Sequence, residues 1–384
     1  MNAELPAAPV APASIEAFVF RFPVETPVQT SFGIMHDRPA LFIRATDEDG
    51  STGWGEVWCN FPAVGAEHRA RLIESALMPR LLGKKFLSPA DAYDDLTKAM
   101  AVLAIQAGEP GPIAQAIAGI DIALWDLAAR KLRMPLWRLF GGTSPVIRLY
   151  GSGLNPDAPE KLAVRRQAEG HRAFKLKVGF GAERDLRNLR ALRDALGGDA
   201  GLMVDANQAW TLDGAQEMLP RLEPFDLHWL EEPIRADRPW EEWQALAAST
   251  KMPLAAGENL LGDAQFDQAI ASGALGVMQP DIAKWGGFTA CFGVARRIRA
   301  AGIRYCPHWL GGGIGLLASA HLLAAAGGDG WLEVDANANP LRDELSGPIR
   351  HPANGTCTLT DAPGLGELPD PTRLSSLSLW LRRA

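Results

Sequence analysis

From residue 173 onward the chain alternates between short apolar runs and amphipathic stretches, and the two recur at a nearly constant pitch. The apolar runs cover 173–177, 202–205, 227–231, 254–258, 275–281, 303–308 and 331–333, and each closes on a residue suited to acid, base or metal chemistry: Lys177, Asp205, Glu231, Glu258, Asp281, His308 and Glu333. Consecutive members lie 28, 26, 27, 23, 27 and 25 residues apart, the length of one strand, one helix and two short loops. Between them, stretches such as 184–196, 212–222 and 288–301 are amphipathic and long enough for barrel helices. A (β/α)8 barrel accounts for the whole set, because every strand of such a barrel delivers its last residue to the same end. The seven side chains are therefore expected in one pocket.

The N-terminal part reads differently. Residues 15–49 alternate apolar and polar positions, and Asp49 and Gly50 form a hairpin signal leading into 52–56. Helical periodicity follows over 67–82, 89–103 and 112–131, clearest in Ile117, Ile120, Leu124 and Leu127. The reading is an α/β protein: an α+β capping domain over 15–143 and a barrel over 144–340 whose first strand opens at Arg148. A Pro- and Gly-rich segment over 341–384 is expected to return and complete the first domain. Residues 1–14, rich in Ala and Pro, are expected as a flexible tail.

Composition narrows the classes. The 384 residues are 47% hydrophobic, enough for a barrel core plus a smaller domain. The net charge of −7 is spread through mixed charges, which argues against a nucleic-acid face. No uninterrupted apolar run reaches the roughly 18 to 20 residues that span a bilayer, and 316–326 is broken by His321. The tail lacks the basic start and apolar core of a signal peptide. Cys59, Cys291, Cys306 and Cys357 form no CxxC pair or metal spacing. A cytoplasmic, reduced homo-oligomer with a small-molecule partner is expected, without nucleic acid or membrane.

Asp205, Glu231 and Glu258 close three successive runs. Carboxylates gathered without thiolates favour a hard, oxygen-preferring cation such as Mg2+, one per site; the alternative is that each caps a helix or joins a salt bridge. Asn207 and Asn259 follow two of them, as donors to those carboxylates or ordinary loop residues, and Asn207 is also a candidate substrate contact. Lys175 and Lys177 stand at i and i+2 on one strand and share a face. With Phe174, Leu176 and Val178 turned to the helices, both lysines point into the barrel, where each ammonium lowers the pKa of the other. Lys177, nearer the strand end, is the better base; Lys175 would tune it or hold a substrate oxygen. Asp281 and His308 close adjacent strands, close enough for the carboxylate to fix the imidazole tautomer, which makes His308 a second base facing the lysine across the barrel; either Lys177 or His308 takes the proton. Glu333 is either a protonated donor to a substrate carboxylate or a satisfied core acid. Gly311 to Gly315 lack the G-x-G-x-x-G spacing of a dinucleotide site.

Lys175 and Lys177, Asp205 with Asn207, the pair Glu231 and Glu232 before Pro233, Glu258 between Gly257 and Asn259, Asp281 followed by Gly286 and Gly287, His308 and Glu333 together resemble the enolase superfamily, and within it the mandelate racemase subgroup. Gly53 to Glu56 and Ile120 to Asp126 extend the likeness into the first domain. The resemblance implies a capping domain over the barrel mouth, a bound Mg2+, and removal of the proton next to a carboxylate to give an enediolate. Muconate-cycloisomerase relatives carry a second catalytic lysine where this chain has Asp281, and Lys284 is three residues too far on to replace it. Many members with this His-Asp and Lys-x-Lys arrangement dehydrate acid sugars to 2-keto acids; racemases, epimerases and sugar-lactone cycloisomerases are the alternative, and a non-catalytic sugar-acid-binding relative a remoter one. Specificity is expected in the capping loops, where His36, Arg38, Trp58 and Asn60 offer polar and ring contacts to a hydroxylated substrate.

Overall fold

The computed structural model of the chain describes residues 5–376 and 381–383. Three antiparallel strands open the capping domain: β1 (Pro12–Gln29), β2 (Ile34–Asp47) and β3 (Thr52–Val57). The turn between β2 and β3 falls where expected, with Gly50 at φ +83° and the Ser51 N–H donating to Asp49 at 2.9 Å. The expected tail is shorter than 1–14. Ala8 and Val10 are buried, Val10 bridges Phe86, and β1 begins at Pro12, so only part of this Ala/Pro-rich stretch lies free of the sheet. Residues 1–4 lie outside the described residues.

Helical segments follow at Gly65–Leu72, Ile73–Leu77 and Met78–Leu81, then Pro89–Ala107 and Pro110–Lys131. Ser88 caps the helix Pro89–Ala107 by accepting from the Asp91 N–H, and Gly108 ends it at φ +65°. The helix Pro110–Lys131 is long and apolar enough to cross a bilayer, yet 89% of its apolar window is buried inside the protein. It lies directly on β3. A Cβ at Gly55 would stand 2.1 Å from the Gly119 carbonyl oxygen, and one at Gly53 2.2 Å from the Leu127 nitrogen, so the glycines flanking Trp54 permit this contact.

Eight parallel strands then form the barrel: β4 (Val146–Leu154), β5 (Ala173–Lys177), β6 (Gly201–Asp205), β7 (Leu230–Glu231), β8 (Leu254–Ala256), β9 (Val277–Met278), β10 (Arg304–Tyr305) and β11 (Trp331–Asp335). Their order is β10-β9-β8-β7-β6-β5-β4-β11. Between β10 and β11 the Trp331 N–H reaches Cys306 Sγ at 3.3 Å across the seam. Tyr150, Ala173, Met203, Trp229, Ala255, Val277 and Cys306, with Trp331, fill the barrel as one apolar layer. The C-terminal segment serves both domains. β12 (Thr356–Thr358) pairs with barrel strand β4, which the sequence reading had not anticipated, while β13 (Leu381–Arg383) joins the outer edge of β1.

Candidate active site

The period of two along each strand sets the site above that apolar layer. On β5 the inner face reads Ala173, Lys175, Lys177; on β6, Met203 and Asp205; around β7, Trp229 and Glu231; on β11, Trp331, Glu333 and Asp335. Lys177, Asp205 and Glu231 end their strands as expected. Glu258, Asp281 and His308 instead lie in the loops beyond β8, β9 and β10, and Glu333 lies two residues inside β11. Strands β8 to β10 are only two or three residues long, so their apolar runs continue into loop. All seven side chains still converge, and all are buried except for the partly covered Glu258.

Lys175 occupies the centre. Its Nζ lies 2.6 Å from both Glu231 oxygens, 2.8 Å from Glu333 Oε1 and 3.8 Å from Asp205 Oδ2, over the Tyr150 ring. Lys177 Nζ lies 2.5 Å from Asp205 Oδ2. Burial works against both ammoniums, yet Glu231 and Glu333 hold Lys175 well above the ordinary lysine value, and Asp205 holds Lys177 above it despite Lys175. The expectation that the two lysines depress each other is thereby corrected. Their mutual repulsion is present but smaller than the pull of the nearer carboxylates.

His308 places Nδ1 2.7 Å from Asp281 Oδ2 and Nε2 2.6 Å from Glu258 Oε2. The first contact was expected; the second was not. With a carboxylate at each nitrogen, both must carry protons, so the ring is an imidazolium. Burial opposes this charge, but Glu258, Glu333 and Asp281 outweigh it and raise the His308 pKa to about 10. Glu333 is also corrected. Burial favours its acid form, but Lys175 and His308 hold its pKa below the ordinary value. It accepts from Ser152 Oγ and from the Trp309 N–H at 3.2 Å, as a carboxylate rather than a donor.

Among the described residues, no three His, Cys, Asp or Glu side chains are drawn together at ligand distances: Lys175 takes Glu231, Lys177 takes Asp205, and His308 takes Glu258. The donor set nonetheless fits a divalent cation. Glu232, which the sequence reading did not use, is buried with its Oε2 unpartnered, and Asn207 Oδ1 is likewise buried and unpartnered. Burial, then the charges of Glu258 and Asp205, push the Glu232 pKa up to about 8. Burial, then the charge of Asp205, likewise pushes the Glu231 pKa up to about 8, so the carboxylates at this site resist ionising together unless further positive charge, such as that of a divalent cation, stands among them.

Known proteins match the chain over most of its length. The family model for the mandelate racemase / muconate lactonizing enzyme N-terminal domain covers residues 14–141, and that for enolase C-terminal domain-like proteins covers 158–373. The chain belongs to the mandelate racemase group of the enolase superfamily. It is 33% identical to a 3,6-anhydro-alpha-L-galactonate cycloisomerase of Streptomyces coelicolor, over 94% of this chain and 98% of that one. It is 30% identical to an arabinonate dehydratase of Saccharolobus solfataricus, over 87% and 92%. A mandelate racemase/muconate lactonizing enzyme from Bordetella bronchiseptica superimposes with a TM-score of 0.92 at 55% identity, covering 96% of this chain and all of that one. A racemase from Streptomyces coelicolor with bound magnesium does so at 0.85 and 30%, covering 96% and all of that chain.

In this member of the mandelate racemase group the capping domain closes the barrel mouth through residues that only partly match expectation. His36 is exposed, outside the enclosed cluster. Arg38 is buried in an ion pair with Asp335, two residues beyond Glu333 on β11. Asn60 donates to the Leu310 carbonyl. Trp58 covers Lys284, and Asn207 donates from its main chain and side chain to Asp205 at 2.8 and 3.1 Å. Ser31 Oγ donates to the Asn207 carbonyl at 2.6 Å, and buried Glu56 accepts from the Gly312 and Gly315 N–H groups at 2.6 and 2.7 Å. Gln279 donates to Glu231 at 2.5 Å. Glu56 was visible in the sequence only as part of a motif, and Gln279 as the residue preceding Pro280.

Proposed function

We propose that the protein removes the proton alpha to the carboxylate of an acid sugar, with Mg2+ held by Asp205, Glu231 and Glu258, and expels the oxygen on the neighbouring carbon. The observation that carries this reading is the enclosed face-off of Lys177 and Lys175 on β5 with the His308–Asp281 pair beyond β9 and β10. A divalent cation held there would supply positive charge against the negative charge that develops on the substrate carboxylate, and Asp205, shared with it, would hold the Lys177 proton less tightly, so that Lys177 gives it up to solvent before substrate binds. Lys175 holds a carboxylate oxygen, a role supported by its ion pair with Glu333 at 2.8 Å. Lys177, entering as the free amine, takes the proton from C2; the C–H electron pair becomes the second bond between C1 and C2, and the carboxylate π pair moves onto oxygen to leave an enediolate. As the enediolate returns to a carboxylate, the C1–C2 pair becomes the C2–C3 double bond and the C3–O pair leaves with the oxygen, which takes the Nε2 proton of the His308 imidazolium; the enol product tautomerises to a 2-keto-3-deoxy acid.

The fate of the leaving oxygen separates the two outcomes. When it is a free hydroxyl, water is lost and the enzyme is a dehydratase. When it belongs to a ring ether, the same bond cleavage opens the ring and the product is an isomer. The similarity along 98% of a cycloisomerase of an anhydro sugar acid supports this second reading. Sugar acids, sugar diacids and anhydro sugar acids incubated with the protein and Mg2+, with 2-keto acids trapped and weighed by mass spectrometry, test both. Loss of water identifies the dehydratase, and an unchanged mass the cycloisomerase. The proposal falls if neither keto acid nor exchange of the C2 proton in heavy water appears across the panel.

A further inference from the structure

Lys284 lies three residues beyond Asp281, buried at 7% exposure at the junction of barrel and cap. Its Nζ stands 3.3 Å from Glu258 Oε1, 3.2 Å from Asn259 Oδ1 and 4.7 Å from the centre of the Trp58 ring. Its backbone N–H donates to Asp281 Oδ1 at 3.0 Å, and the Trp58 N–H reaches the neighbouring Ala283 carbonyl at 3.4 Å. One residue thus holds Asp281 through its main chain, Glu258 through its side chain and the cap through the indole above it.

A buried ammonium needs a paired carboxylate, and an aromatic face over it adds attraction without supplying a hydrogen-bond acceptor. Glu258 therefore serves two cationic partners, His308 on Oε2 and Lys284 on Oε1. The positive charge of Lys284 also repels any cation that approaches the same carboxylate, and burial weakens the solvent screening of that repulsion. We propose that Lys284 is a positioning residue, the resident counter-charge of Glu258, which holds this carboxylate in place before a divalent cation binds and lowers the affinity of the site for that cation. The inference rests on reading Asp205, Glu231 and Glu258 as the cation site.

A purely structural role predicts the opposite sign. If Lys284 only propped up Glu258, its loss would let the carboxylate drift and weaken cation binding, whereas loss of a competing charge strengthens it. The test is calorimetric titration of the full-length, chelator-stripped protein with Mg2+ alone, beside thermal denaturation with and without Mg2+. Lys284→Met is expected to bind Mg2+ about tenfold tighter than wild type, to melt lower without Mg2+, and to gain more from its addition. Lys284→Arg, which keeps the charge, should stay within about twofold of wild type. Should Lys284→Met not fold, Trp58→Leu carries the same test, since an ammonium freed toward solvent repels the ion less. A folded Lys284→Met or Trp58→Leu that binds Mg2+ no tighter than wild type overturns the role of Lys284. Failure of wild type itself to bind Mg2+ overturns the cation site and the inference with it.

Discussion

His308 and Glu258, expected respectively as a base and a metal ligand, are bound to each other, with Nε2 of the imidazolium 2.6 Å from Oε2 of the carboxylate. The two roles can be separated by experiment. His308→Asn removes the proton donor but leaves the carboxylates, so turnover should fall about 10²- to 10⁴-fold while the rise in Tm on adding Mg2+ persists. Glu258→Gln removes a ligand charge, so both should be lost. Steady-state kinetics beside thermal shifts decide it, and a His308→Asn enzyme retaining most of its turnover would remove His308 from the mechanism.

Within the capping domain, the backbones of Gly55 and Gly119 meet where β3 crosses the helix Pro110–Lys131. A Cβ at Gly55 would stand 2.1 Å from the Gly119 oxygen, and main chain cannot swing aside as a flexible side chain does. Gly55→Ala should therefore destabilise by about 3 kcal/mol or more, at the upper end for overpacking. Gly50→Ala is the comparison: no atom stands within 4 Å of its added Cβ, so only the left-handed φ of +83° is penalised, at about 1 kcal/mol. Denaturant melts of the two variants should differ accordingly, and equal losses would show that the contact yields.

Pitch and parity explain why much of the site was legible. Lys175 and Lys177 share a face because strands alternate, and Asp205 and Glu231 end their strands because each strand-helix unit has a similar length. Glu232 escaped the same logic. Parity turns it away from the barrel interior, but its backbone sits at φ +40°, and Asn207 and Gln208 are also left-handed at +43° and +65°. Three non-glycine residues in that region twist the loops after β6 and β7 and bring Glu232 near Asp205 and Glu258, which no periodic rule anticipates. The charge states were legible only as signs. Two adjacent lysines suggested depression, and only the distance to Asp205 decides that the ammonium wins.

His321 gives a pH dependence independent of the site. It lies in the helix Gly313–Ala326, 2% exposed, and its Nδ1 accepts from the Trp137 N–H at 3.0 Å. Burial, with a smaller contribution from Arg130, lowers its pKa to about 3. The unfolded chain binds this proton near pH 6.5 and the folded protein only near 3, so the stabilisation is whole above about 6.5 and is lost as pH falls toward 3. His321→Gln keeps an acceptor without titrating. The stability of wild type relative to this variant, followed by denaturant unfolding, should decline from pH 7 to pH 4; a difference that stays flat would show that the imidazole is not held neutral.

Arg38 and Asp335 raise the question of whether a cap cation expected to touch substrate serves the fold instead. Asp335 accepts from Arg38 and lies 3.5 Å from Arg342, all three buried, and receives the side-chain amide of half-buried Asn337 at 2.8 Å. Burial lowers the Arg38 pKa against the pull of Asp335, so the guanidinium depends on that partner. Arg38→Met leaves Asp335 one guanidinium short but still paired with Arg342. The expected loss is about 2 to 4 kcal/mol, toward the lower end for breaking a buried pair. If the fold is its main task, Arg38→Met,Asp335→Leu should recover part of the stability by burying neither charge, with kcat/KM following the folded fraction. Substrate recognition by Arg38 would appear instead as a raised KM in the double variant at full stability, a result that returns the residue to the binding site.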